Sequence, residues 1–488
     1  MAASYVPAVY AATTILDPRS RLIVNRFTGG WSVATRNAVK AAGGIDRWFA
    51  QQLSPTTISD AFYTGSQKWW YANVGTPKEL WARDDAGTEG VWEANAHYQR
   101  WSMLRRMYSQ RQVQESMAAF WEHHFHVPAN GGDAGGHRNH YGRMIRAKAL
   151  GRFDTLLNAV ITHPAMGLYL GNASSTKRAP NENLGRELLE LHTVGRSAGY
   201  TEDDVKNSAR IITGWRVDLW DTWDDYYDTN SHWTGAVKVL GFSHPNTSAD
   251  GRAVTKAYLD YLAHHPATAQ RIARKLAVRF VSDTPSSALV GHLASVYLAS
   301  GTAMAPVLKA LVASAEFQAS AGKKTRTPEE DVIATYRALG ATVAPPKSAD
   351  SAAVAMLWQT EQIGLQPFGW PRPDGRPDTA DAWSSVSRIL GSFDVHYSMS
   401  GRWWPSNGVT YRSPAGWLPK SSIRFDALVD HLSRSLLGRG STALTLQVAC
   451  QATGLSPTTV ITATHDLVRW GFPALLTVFL DSPTHIAR

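Results

Sequence analysis

The sequence predicts a mainly α protein: a multi-helix globular fold with long loops and at most a small β-hairpin. Three observations lead there. Apolar residues recur three and four apart along seven segments, and alternation of period two is confined to one short stretch. The composition, 44% apolar and 18% charged over 488 residues, is that of an ordinary globular chain with enough apolar material for one large core or several smaller ones.

In chain order, helical spacing runs through LIVNRFTGGWSVATRNAVKAAGGIDRWFAQQL, YQRWSMLRRMYSQRQVQESMAAFWEHHF, RFDTLLNAVITHPAMGLYL, DDVKNSARIITGW, TAQRIARKLAVRFV, MAPVLKALVASAEF and PEEDVIATYRALG. The stretch TEDD at 201–204 reads as a helix start, with Thr201 as N-cap and Asp204 at the third helical position. The candidate strand is GAVKVLGF at 235–242, set between two polar runs that suit a hairpin or an extended excursion. Three stretches read as loops too long to be mere connectors: 128–140, 216–233 and 366–378. The run APPKSAD at 344–350 divides the chain into a main helical body, 1–343, and a smaller helical part, 351–488, packed on it or continuous with it.

Charge and cysteine content narrow the function classes. Lys and Arg total 49 against 40 Asp and Glu, a net charge of +9 and a pI near 9.5, which suits an anionic partner such as an envelope polymer. The basic residues are scattered and no nucleic-acid-binding motif accompanies them, so nucleic acid is not expected. A single cysteine, Cys450, excludes an intramolecular disulfide framework and any multi-cysteine metal site, and its apolar context reads as an inert core position. The N-terminus lacks the basic and apolar regions of a signal peptide, and no run of apolar residues is long enough to span a membrane.

Chemistry points first to NENLGRELLELHTVG at 181–195. On a helix, Leu184, Leu188 and Leu191 share one face, while Asn183, Glu187 and Glu190 form a polar stripe with Arg186 at its edge. Glu187 and Glu190 are one turn apart, so if both are withheld from solvent one carboxyl must keep its proton unless Arg186, Asn183 or a metal ion compensates. That split is what acid and base catalysis uses. The plainer alternative has Asn181 or Asn183 capping the helix and the glutamates solvated near its N-terminus.

A second candidate is FWEHHFHVPANGG at 120–132. Glu122 and His126 share one stripe at i,i+4, a spacing that can hold Zn²⁺ or another transition metal, while His124 falls on a second stripe with Met117 and Phe120. The spacing is not that of a zincin, because two histidines four apart are missing. The alternative packs His124 among aromatics with one ring nitrogen bonded. The third candidate is aromatic: Trp215, Trp220, Trp223 and Trp233, in an Asp-rich stretch, suit a groove for a sugar or another amphipathic ligand, with Asn181 as a further contact.

Several blocks together resemble the bacterial family called Domain of Unknown Function 1800. They are FWEHHF at 120–125, HPAMGLYLGNASSTKRAPNENLGRELLELHTVG at 163–195, GYTEDDV at 199–205, RIARKLAVRFV at 271–281 and GLQPFGWPRPDGRPDTADAW at 364–383. The resemblance implies an α-helical protein, often exported and often encoded beside a member of Domain of Unknown Function 1501, which is phosphatase-like and sulfatase-like; no activity comes with it. Asn181, Glu182, Asn183, Arg186, Glu187 and Glu190 match the family pattern N-E-N-x-x-R-E-L-L-E. Glu122 and His123 stand where the pattern favours His and Asn, while His124 is kept.

Three functions follow as expectations. The first is a hydrolase-like enzyme acting on a carbohydrate-containing or envelope polymer, with Glu187 and Glu190 as the acid and base pair, oriented by Asn183 and Arg186. The second is a metal-dependent enzyme using those carboxylates with His124 or His126. The third is a non-catalytic partner or maturation factor of an envelope enzyme, in which the polar stripe only fixes helix packing.

Overall fold

A computed structural model describes residues 13–130 and 132–488. Most of them are helical, and the seven segments with helical spacing all form helices. Local chemistry marks many of the boundaries. Thr201 accepts from the Asp204 amide at 3.2 Å, and Asp204 returns the bond to the Thr201 amide at 2.8 Å, a reciprocal cap that starts the Glu202–Ile211 helix. The first twelve residues, where a leader would begin, lie outside the described set. Among the described residues no helix is long and apolar enough to cross a membrane.

The extended segment at 235–242 does form a hairpin, Val237–Val239 against Phe242–His244. Leu240 and Gly241 turn it with positive φ angles of 47° and 92°, the pattern whose twist matches two antiparallel strands. Three further antiparallel pairs accompany it: Trp215–Val217 with Asp225–Tyr227, Thr342–Val343 with Val409–Thr410, and Ser422–Arg424 with Val460–Thr462. These short strands lack the apolar run of 235–242, so the sequence carries no signal for them.

Two expected features differ. The glycine-rich stretch at 128–140 is not mainly loop, because the Gly135–Lys148 helix starts inside it. Gly136 sits there for proximity, since a Cβ on it would meet Trp81 Nε1 at 2.2 Å. Cys450 is only partly buried, at the edge of a core instead of inside it.

Two large apolar clusters form. One is built from residues 16–317. The other combines residues 70–129 with 332–480, so helices on both sides of 344–350 share it. A buried ionic network joins the two. The Pro328–Leu339 helix opens with Glu329, Glu330 and Asp331, all buried. Glu329 receives Arg106 at 2.7 Å and Arg376 at 3.0 Å. Glu330 receives Arg279 at 2.5 Å, Arg488 at 3.0 Å and Arg106 at 3.3 Å. Burial opposes both negative charges, but the guanidiniums outweigh it and hold the two carboxyls well below the usual range. Asp378, bonded to Arg279 at 2.9 Å and Arg376 at 3.3 Å, extends the network to the 366–378 loop and anchors it.

Candidate functional site

The 181–195 segment begins as the sequence suggests and then departs from it. Asn181 caps the helix by accepting from the Asn183 amide at 3.0 Å. After Glu187 the backbone widens into a π-helical turn, Leu188–His192. The wider turn rotates the faces, so Leu184, Leu188, Leu189 and His192 are buried while Leu191, assigned to the apolar face by a 3.6-residue period, is only partly covered.

The acidic stripe divides into residues with different fates. Asn183 is exposed. Arg186 is held by Glu202 at 2.6 and 2.8 Å and by Glu182 at 3.4 Å, so its fork is spent on a surface pairing and does not orient the carboxylates. Glu190 accepts from Arg196 at 2.6 Å and from the Tyr200 hydroxyl at 3.1 Å. Glu187 is half-buried and, among the described residues, has no side-chain hydrogen bond. Burial raises its pKa first; Glu190 and Asp374 add to the rise, and Arg186 and Arg196 only partly offset it. Burial and the neighbouring acids therefore disfavour the charged form of Glu187.

Beside this segment a cavity of about 430 Å³ opens between the end of the Gln112–His124 helix, the Pro266–Phe280 helix and the 370–378 loop. Arg271, Arg274, Lys275, Arg372 and Arg376 line it, against Asp374 and Asp378. Arg376 and Asp378 belong to the ionic network, which leaves a cationic pocket with a fixed rear wall. Gly375 lets the loop close on that wall: its φ is +72°, and a Cβ would lie 1.9 Å from the His123 carbonyl oxygen. The segment carrying Glu187 adjoins the cavity. Arg271 Nε donates to the Leu191 carbonyl at 3.1 Å, Tyr169 donates to the Pro371 carbonyl at 3.3 Å, and both Glu187 and Asp374 act electrostatically on Tyr169.

Hydrogen bonding settles the protonation of the cavity histidines. His124 Nε2 donates to the His192 carbonyl and His192 Nδ1 donates to the His124 carbonyl, each at 3.1 Å. His124 Nδ1 therefore carries a lone pair, and it accepts from Lys275 Nζ at 3.0 Å. Burial, reinforced by Lys275, pulls His124 well below its ordinary pKa, and burial together with Arg271 pulls the Lys275 ammonium down to about 8. His123 Nε2 likewise accepts, from Arg376 Nε at 2.9 Å, and burial and Arg376 bring its pKa to about 4.

The expected metal set does not assemble. Glu122 is buried between the Tyr98 hydroxyl at 2.9 Å and Arg138 at 2.9 Å. His126 Nε2 donates to the Trp370 carbonyl at 2.7 Å, and His124 has both nitrogens engaged. A helix in sequence space aligned Glu122 with His126, but the chain leaves the helix at Phe125, so the i,i+4 geometry is lost. His124 instead packs against Phe120, Trp121, Phe125 and Phe153.

Nor do the four loop tryptophans line one groove. Trp220 is 96% exposed, Trp223 stacks on Trp81 at 4.2 Å, and Trp233 lies under Arg210 at 4.8 Å. Trp215 meets Tyr227 edge-on and borders a separate depression with Asp154, Asp260 and His264. The tryptophan in the cavity is Trp370, whose Nε1 donates to Asp374 at 2.9 Å. Lys275, Arg271 and Trp370 were not singled out by sequence reasoning; the only signals were the basic spacing in RIARKLAVRF and the unusual length of the 366–378 loop.

A three-residue group able to hold a metal ion does occur elsewhere. Asp331, His396 and His485 are buried together in the second core, their ligand atoms within 4.8 Å of one another. They come from three helices distant in sequence, so no spacing motif could reveal them.

No curated protein and no solved structure matches the chain. A family model matches residues 22–486, a span that includes the acidic segment, the cavity helices and the 366–378 loop. On that match the chain belongs to the family described as Protein of unknown function (DUF1800).

Proposed function

We propose that the protein is a hydrolase-like enzyme acting on an acidic, carbohydrate-containing polymer of the cell envelope. The observation that carries this reading is the pairing of a protonatable carboxyl with a cationic pocket. Among the described residues Glu187 has no side-chain hydrogen bond, its pKa is raised, and its segment adjoins a cavity lined by Arg271, Arg274, Lys275 and Arg372. Arginines and a lysine converging on one cavity suit carboxylate, sulfate or phosphate groups on a substrate. Trp370 supplies an apolar face to a sugar ring.

In this reading Glu187 gives its proton to the leaving oxygen as the glycosidic or ester C–O bond breaks, water adds its oxygen to the carbon as the new hydroxyl, and the proton that water loses returns to the Glu187 carboxylate. Glu190, fixed by Arg196 and Tyr200, is the neighbouring charge that favours the protonated form of Glu187. Lys275, steadied by His124, binds the acidic group of the substrate.

The test is a panel of uronate-, sulfate- and phosphate-bearing polysaccharides and peptidoglycan fragments, scored by new reducing ends or released acid. Glu187→Gln should lower turnover by about 10²-fold or more with circular dichroism unchanged. Lys275→Met should raise KM for the acidic polymer more than it lowers kcat. Full turnover in Glu187→Gln, or equal KM values for acidic and neutral polymers, overturns the proposal.

A further inference from the structure

The group formed by Asp331, His396 and His485 lies apart from the cavity, and its hydrogen bonding raises a separate question. His396 Nδ1 is 2.7 Å from Asp481 Oδ1. A carboxylate accepts, so Nδ1 carries the proton, and in a neutral ring Nε2 presents a lone pair. That lone pair faces Asp331 Oδ1 at 3.2 Å. Two acceptors at this distance repel unless a positive charge, either a second ring proton or a metal ion, lies between them.

A second imidazole is aimed at the same oxygen, with His485 Nε2 3.7 Å from Asp331 Oδ1. Thr335 Oγ1, whose own proton goes to the Asp331 carbonyl at 2.9 Å, lies 3.2 Å from His485 Nε2. The two 3.2 Å separations lie near the edge of a ligand tetrahedron and the 3.7 Å one is longer, with the Asp331, His396 and His485 ligand atoms all within 4.8 Å of one another. With metal–ligand bonds of about 2.0–2.1 Å, neighbouring ligand atoms stand about 3.3 Å apart. The surroundings agree with this geometry. Asp331 Oδ2 is turned away to Arg388 at 3.1 Å and Ser392 at 2.7 Å, leaving Oδ1 for one further partner. Asp481 behind His396 has the place of the carboxylate that commonly orients a metal-bound histidine.

The geometry points to a structural metal site in which Asp331 Oδ1, His396 Nε2 and His485 Nε2 bind one zinc-type divalent ion, with Thr335 Oγ1 or a water as the fourth ligand. Two imidazoles and one carboxylate without thiolate suit Zn²⁺ and its Co²⁺ substitute. Asp331, His396 and His485 are each less than 5% exposed, so the ion enters as the chain folds and is not positioned for a substrate. Its role is to clamp the Pro483–Ile486 helix and the Val386–Ser400 helix onto the Pro328–Leu339 helix.

The experiment uses the full chain purified without a metal-affinity step. Elemental analysis should find close to one equivalent of zinc per chain after exhaustive dialysis. Refolding in Co²⁺ should give the visible absorption of a tetrahedral centre. His485→Ala should lose the ion; should that variant fail to fold, the wild-type metal content and the Co²⁺ spectrum decide. Less than a tenth of an equivalent of any transition metal, both as purified and after refolding with zinc, overturns the proposal and leaves His396 as a buried imidazolium between two aspartates. Full zinc content in a folded His485→Ala overturns it too, because the ion then lies elsewhere.

Discussion

Two acidic helix starts in this protein look alike on paper and differ in the folded chain. PEED at 328–331 and NENLGRELLE at 181–190 each place several acids in the opening turns of a helix. In the first, Glu329 and Glu330 are buried and matched by Arg106, Arg279, Arg376 and Arg488, so their charges are held firmly on. In the second, Glu182 and Glu190 find cations near the surface while Glu187 is half-buried without a hydrogen bond among the described residues, and its charge is disfavoured. A fully compensated acid holds structure together, whereas an uncompensated one costs stability and is available for chemistry.

The largest effect should come from the compensated region. Glu330→Gln leaves Arg488 buried without its carboxylate partner and Arg279 with Asp378 alone, and should cost about 3–5 kcal/mol in urea denaturation. A loss below ~1 kcal/mol would mean that the network does not anchor the fold. Next is the joint between network and cavity. Gly375→Ala forces a Cβ onto the His123 carbonyl and should cost about 1–3 kcal/mol, with a matching loss of acidic-polymer binding.

A smaller effect of opposite sign belongs to the uncompensated region. The raised pKa of Glu187 means that ionising it opposes folding. Below the unfolded-state pKa the group is protonated in both states, and the cost appears as pH rises through that value toward the folded one. Glu187→Gln should therefore raise the melting temperature at pH 7 and leave it unchanged at pH 4. A drop at pH 7 would place Glu187 among the structural acids. The smallest effect is expected for Trp220→Ala: with the ring 96% exposed, stability should move by no more than about 0.5 kcal/mol, and binding of a neutral oligosaccharide should be unaltered.

Much of the fold was legible before the structure. The helices at 98–125 and 268–281 declare themselves through apolar spacing, the Thr201 cap through its partner three residues on, and the 235–242 hairpin through a short apolar alternation between polar runs. The candidate site was legible only in outline. The acidic segment was found, but the π-helical turn at Leu188–His192 moved its faces, and the chain leaving the helix at Phe125 removed the Glu122 and His126 alignment.

Local order is written in neighbours three and four residues apart, so the sequence by itself determined where the helices run, how several of them start and which family pattern the chain carries. Only the tertiary structure decided that Glu187 is half-buried with its charge disfavoured, that Lys275 rests on His124, and that Asp331 meets His396 and His485. The reason is electrostatic: a proton or a cation is held by the summed influence of groups a few ångströms away, and those groups are brought together from opposite ends of the chain.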